Sequence, residues 1–264
     1  MRVVAPAFVA MALEVCVASG TAGAVNLQIL PLFQSFAALD NEITSMLGEG
    51  DSEQEPEPID RHELIVSVPS LRVPPKAWRH YEKGLEAQRR GDYDKALSQY
   101  HRALEVYPDF GAASAAQGIT LLWQKKPAEA RDAFLRALAV DPDTFQAELG
   151  LGLICNTDGR FDEAVGHLQK ALALNGECWQ VRYALGRAHY GLGHLPESEK
   201  HLTMARAAKP THGNLYLLLA LVQLAQDKPA EALAQLETFL RVAPEDALAG
   251  EVRARIQELR AAGE

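Results

Sequence analysis

The sequence predicts an all-α fold: five helix pairs stacked into an α-solenoid, a C-terminal capping helix and a mostly irregular N-terminal extension. Two observations carry that prediction. Small residues recur with a period of 34, as at Gly84, Gly118, Gly152 and Gly186, with Ala220 continuing the series. Between them, apolar residues fall at helical spacing in two stretches separated by a short turn. Composition agrees, since 48% of residues are apolar and 23% charged, which excludes wholesale disorder. Aromatics reach only 7%, low for an all-β sandwich.

Further tracks keep the same phase. Ala96, Ala130, Ala164, Ser198 and Ala232 form one, and Ala103, Ala137, Ala171 and Ala205 another. Pro108, Pro142, Pro210 and Pro244 form a third, with Gly176 at the missing place. Lys126-Pro127-Ala128-Glu129-Ala130 returns as Lys228-Pro229-Ala230-Glu231-Ala232, three periods later. The units are 77–110, 111–144, 145–178, 179–212 and 213–246. In each, two small residues let the paired helices approach, where a large side chain would wedge them apart. Gly91, Gly159 and Gly193 mark turns within units, and Pro127, Pro196 and Pro229 sit near second-helix starts, where a missing N–H costs little. One helix pair cannot bury its apolar face alone, so the pairs must stack.

These residues resemble the tetratricopeptide repeat. Unit 1 supplies Gly84, Gly91, Tyr93, Ala96, Tyr100, Ala103 and Pro108; unit 3 supplies Leu151, Gly152, Gly159, Phe161, Ala164 and Ala171. Unit 5 is the weakest match, with Leu219, Ala220, Ala232 and Pro244. The resemblance implies a right-handed solenoid whose first helices line a concave groove. It also implies which residues face that groove. Trp78, Tyr81, Gln88, Gln146, Leu149, Asn156, Gln180, Tyr183, Arg187 and Tyr190 are the expected partner-binding set. Of the groove positions only Arg187 is charged. Relatives that clamp a chaperone's terminal carboxylate use Lys at a position that here is Tyr81, Ala115, Leu149, Tyr183 or Leu217, so that activity is excluded. An apolar strip with Tyr, Trp and amide groups suits a polypeptide with apolar anchors. Arg187 is placed to take an acidic group. Close packing of neighbouring repeats would bury some of these residues.

Residues 247–264 carry one stripe, Leu248, Val252, Ile256 and Leu259, and are expected to form the capping helix. Glu251 and Arg255 are expected to pair on its exposed side. At the other end, Arg2, the apolar run 3–13 and Ala22-Gly23-Ala24 look like an export signal over residues 1–24. A cell-envelope or periplasmic location follows from it, in a bacterial cell, with a cytoplasmic location as the alternative. Residues 25–76 form the extension. It holds a short amphipathic stretch within 25–47, an acidic linker over 49–60 and the apolar segment Leu64-Ile65-Val66-Ser67-Val68. That segment is expected to dock at the edge of the repeats or in their groove.

No catalytic constellation is present: no phosphate-binding glycine loop, no nucleophile elbow and no His-Glu-x-x-His. His189, His194, His201 and His212 cluster in sequence, and Glu197 and His201 share a helix face. Solvated surface histidines are the expectation there, with a metal site as the alternative. Cys155 and Cys178 should lie too far apart for a bridge. The net charge is −9, and residues 1–76 hold 10 acidic and 4 basic side chains. Acidity and an uncharged groove argue against nucleic acid. The sequence therefore predicts a non-enzymatic interaction scaffold with a polypeptide partner, no cofactor and possible self-association. A dedicated accessory subunit of an enzyme or envelope assembly complex is the alternative.

Overall fold

The computed structural model describes residues 73–262. The export-signal reading of 1–24, the amphipathic stretch, the acidic linker and Leu64–Val68 lie outside the described residues. Among the described residues there are eleven helices and no strand. They are α1 (Pro75–Arg89), α2 (Tyr93–Val106), α3 (Gly111–Trp123), α4 (Pro127–Val140), α5 (Phe145–Thr157) and α6 (Phe161–Leu174). They continue as α7 (Trp179–Gly191), α8 (Leu195–Ala208), α9 (Gly213–Ala225), α10 (Pro229–Val242) and α11 (Ala249–Ala262). The all-α repeat fold read from the sequence is thus the observed one. None of these helices is long and apolar enough to cross a membrane.

The described chain divides into two compact units, residues 73–154 and 155–262, with the boundary inside α5. In the first, α1 packs on α2, α2 on α3, and α3 on α4. In the second, packing runs in sequence order from α6 to α11. In three pairs a large residue of the second helix lies over a glycine of the first. A Cβ added at Gly118 would sit 2.6 Å from the Phe134 ring, and one at Gly186 would sit 2.5 Å from Leu202. Gly84 stands in the same relation to Tyr100. Those three large side chains are at most 0% exposed. The second small-residue track explains itself as well. Ala96, Ala130, Ala164 and Ala232 are fully buried, and Ser198 replaces alanine without leaving a polar orphan, since its hydroxyl donates to the Gly186 carbonyl at 2.7 Å.

A proline occupies one of the first two positions of α1, α4, α8 and α10, where no helical acceptor awaits its missing N–H. The turn inside each pair needs a left-handed residue. Gly91, Gly159 and Gly193 take φ of 74°, 75° and 74° there. Lys125 and Asp227 hold the same place in their repeats at 59° and 61°, a conformation that costs a residue with a Cβ.

The two outer helices end in different ways. On α1, Arg79, Glu82, Glu86 and Arg89 are all exposed. The equivalent places on α3 and α9 are the buried Ala113, Ala116 and Thr120, and the buried Leu215, Leu218 and Val222. This face of α1 is built for water, and Glu86 pairs with Arg90 upon it at 2.5 Å. At the other end α11 places Val252 and Ile256 against Tyr216, Leu217, Leu236 and Phe239, as expected of a capping helix. The expected exposed setting of Arg255 is corrected. Arg255 is 4% exposed and its guanidinium bonds Glu258 at 2.8 Å, one helical step further on.

The turn chemistry predicts the sign of two substitutions. Lys125→Gly removes a left-handed Cβ and should raise stability by up to ~1 kcal/mol, after the entropy glycine gains in the unfolded chain. Gly91→Ala meets no neighbouring atom, so it should cost only backbone strain, ~1–2 kcal/mol. Urea denaturation midpoints check both signs.

Candidate functional site

First-helix side chains make up the expected partner-binding set, and the structure sorts them by depth. In the first unit Trp78 on α1 is 39% exposed, Tyr81 is half-buried and Gln146 on α5 is exposed. Trp78 and Tyr81 belong to an aromatic group. Trp78 stacks on Phe110 at 5.7 Å between ring centroids, and Tyr81 meets Phe110 at 5.1 Å and Trp78 at 5.5 Å. Trp78 Nε1 donates to Glu82 at 3.0 Å, which fixes the indole while leaving its face outward. Burial pushes the Tyr81 phenol above its ordinary pKa, so it stays a neutral donor.

Gln88 does a different job from the one expected. Its carbonyl oxygen accepts from the Tyr100 hydroxyl at 2.7 Å and lies 2.8 Å from Thr120 Oγ1. It satisfies the polar tip of the ring that sits over Gly84, and so braces α1, α2 and α3 together. Four more of the expected residues are packing residues in this structure. Leu149 is 4% exposed, Asn156 1%, Gln180 8% and Tyr183 2%. Asn156 Nδ2 donates to the Ala184 carbonyl at 2.9 Å, tying α5 to α7. Gln180 Oε1 lies 3.0 Å from the Cys178 thiol. Tyr183 meets His212 edge-on at 5.9 Å, and Trp179 closes the same group at 4.7 Å. In the second unit, Arg187 and Tyr190 on α7 remain half-exposed.

Two features had only a weak sequence signal. Glu148 is buried on α5, at 2% exposure, although its place in the repeat is not a groove position. His189 and His201 stack at 5.5 Å with planes 7° apart, and His194 lies 5.8 Å from His189. The clustering of histidines in sequence did point to α7 and α8, but not to ring stacking. Among the described residues no three His, Cys, Asp or Glu side chains are placed to hold a metal ion. Cys155 is buried and Cys178 half-buried, both as free thiols.

The histidine pair makes acid stability readable. Burial, then His189, Arg182 and Lys200, pull the His201 pKa down to about 4. Burial and His194 also lower His189, against a smaller opposing effect of Glu197. Above the ordinary histidine value near 6.5 the imidazole is neutral in both states and adds no pH dependence. As pH falls from about 6.5 to about 4, the unfolded chain takes up a proton that the folded chain refuses, so stability falls. His201→Phe should flatten the urea midpoint against pH in that window and leave it unchanged above pH ~7. Parallel profiles for the two proteins would contradict this.

The repeat architecture is shared with known proteins. The family profile for the tetratricopeptide repeat matches residues 81–139, 116–174 and 217–261, and a second profile of that name matches 157–212. No curated protein sequence matches the chain. Among solved structures, PilF of Pseudomonas aeruginosa is 19% identical, with a TM-score of 0.61 over 70% of this chain and 85% of its own. YrrB, described as a tetratricopeptide repeat protein with an unusual peptide-binding site, is 20% identical at a TM-score of 0.57, over 67% and 92%. MamA of Desulfovibrio magneticus RS-1, from residue 41 to its end, is 18% identical at 0.59, over 66% and 99%. These likenesses concern the fold. With the profiles spanning more than half of its length and the helix pairs following the same period, the chain belongs to the tetratricopeptide repeat family.

Proposed function

We propose that the protein is a non-catalytic scaffold that holds a polypeptide partner on the exposed parts of its first helices. Trp78, Tyr81 and Gln146 are the contact residues of the first unit, and Arg187 and Tyr190 those of the second. The observation that carries this reading is the character of what stays outside. The helix pairs bury most of their glycines, alanines and leucines in packing. Among the side chains that the expected groove positions of α1, α5 and α7 leave outward are an indole, phenols, an amide and one guanidinium. Trp, Tyr and Arg are the side chains that dominate binding energy at protein interfaces, because each joins a large apolar area to a polar tip. The peptide-binding site named for YrrB supports the same reading by fold alone. An envelope location, resting on Arg2 and the apolar run after it, completes the proposal. N-terminal sequencing of the mature protein tests it: a first residue near 25 is expected, and an intact Met1 would contradict it.

The partner surface is tested by affinity capture from the native cell, with quantitative mass spectrometry of what is retained. Trp78→Ala/Tyr81→Ala and Arg187→Ala/Tyr190→Ala variants with wild-type helicity are compared with the wild type. At least one pair should lower recovery of the main partner about tenfold or more, the loss expected of a central anchor. Equal recovery by all three proteins would place the contact elsewhere.

A further inference from the structure

The first helix shows two unlike surfaces beside its core face. One is the charged row Arg79, Glu82, Glu86 and Arg89, complete in itself and exposed. The other is aromatic: Trp78, 39% exposed, with Tyr81 beside it and Tyr107 meeting Phe110 at 6.4 Å. An indole held open by its bond to Glu82 and stacked on a buried phenylalanine is a ready apolar platform. The chain itself arrives there. Val73, the first described residue, packs with Ala77, Ala103, Phe110 and Ala113, and Tyr81 and Tyr107 border that same cluster.

The segment just before it has the composition the platform lacks. Leu64-Ile65-Val66-Ser67-Val68 is apolar and β-branched, between the charged stretch 60–63 and Pro69. Val73 lies five positions after Val68, which permits a span of about 17 Å when extended. Trp78 lies only three residues inside α1, about 5 Å along its axis. The reach is therefore ample, and the local concentration of a segment tethered so closely far exceeds that of any free peptide. Leu64, Val66 and Val68 alternate along the sequence, the spacing that an extended segment would place on one side.

We propose that residues 64–68 dock on the Trp78–Tyr81–Tyr107 platform as a resident occupant, with Leu64, Val66 and Val68 against the rings. The segment covers the one aromatic face that α1 leaves open. Where a partner uses the same rings, it must displace the segment, so the tether sets a threshold for binding. That last step rests on the partner reading above; the docking itself does not.

Photo-crosslinking in the full-length protein tests the contact. Benzoylphenylalanine at position 66 should give products of monomer mass joined within α1 or within 107–110. The reciprocal probe at position 78 should capture residues 62–71. Leu64→Asp with Val68→Asp in the same chain should lower both yields about tenfold, because a carboxylate loses its solvation on an apolar platform. Products confined to α6–α11, products only of dimer mass, or yields indifferent to the aspartates would overturn the proposal. The two probes sit on opposite sides of the contact, so a folding defect in one leaves the other to decide. The affinity capture described above fails or succeeds independently, since it reads a second protein and this experiment reads the chain's own segment.

Discussion

The structure depends on how closely two helices can approach. Within repeats and between neighbouring ones, large side chains of second helices lie where a first helix has no Cβ. Phe134 touches the backbone at both Gly118 and Gly150, Leu202 that at Gly186, and Phe161 that at Gly191. A methyl group at any of these glycines would fall inside the van der Waals envelope of the facing side chain, and a packed interior has no slack to absorb it. The alanine track on the second helix follows from the same closeness. So does the one serine in it, which is tolerated because Gly186 offers its carbonyl within hydrogen-bond reach. Where the fifth repeat places Phe239 in the second alanine track, Gly213 provides the space.

That closeness determines what is left for other molecules. Residues that make the pair are buried and uncharged, and the first helices keep a few side chains outside. On α1 these divide into a charged row and an aromatic group, and on α7 they are a guanidinium and a phenol. Function in this family therefore resides in a small set of residues on a generic frame, which is why fold likeness to PilF, YrrB and MamA does not name a partner. The docking proposed for residues 64–68 would add a means by which one chain regulates its own surface.

The period made most of the fold legible. Close packing demands small residues at fixed places, and a fixed demand repeated five times is visible even where single positions vary. The site was legible only by half. Place in the repeat tells which way a side chain leaves the helix, but depth depends on neighbours that the period does not encode. Leu149, Asn156, Gln180 and Tyr183 hold the expected places in the repeat and are nonetheless buried. The oxygen of Gln88 accepts from the Tyr100 hydroxyl, a partner that matters because Tyr100 is buried against Gly84. Arg255 reads from spacing as part of an exposed pair, yet it is 4% exposed and its guanidinium bonds Glu258. Lys125 and Asp227 adopt a left-handed turn that glycine marks in the other repeats, so the turn was readable there only from the period.

The central claim is that ring-on-glycine contact sets the spacing of the helix pair. A double-mutant cycle at Gly118 and Phe134 tests it most directly. Gly118→Ala alone should cost ~1–3 kcal/mol, because the new Cβ meets the phenylalanine ring. In a Phe134→Leu background the same change should cost at least ~1 kcal/mol less, since the smaller side chain yields the space. Equilibrium urea unfolding of the four proteins gives the coupling. Costs that add to within ~0.5 kcal/mol would contradict the account, and would mean that the glycine track is kept for some reason other than the approach of the two helices.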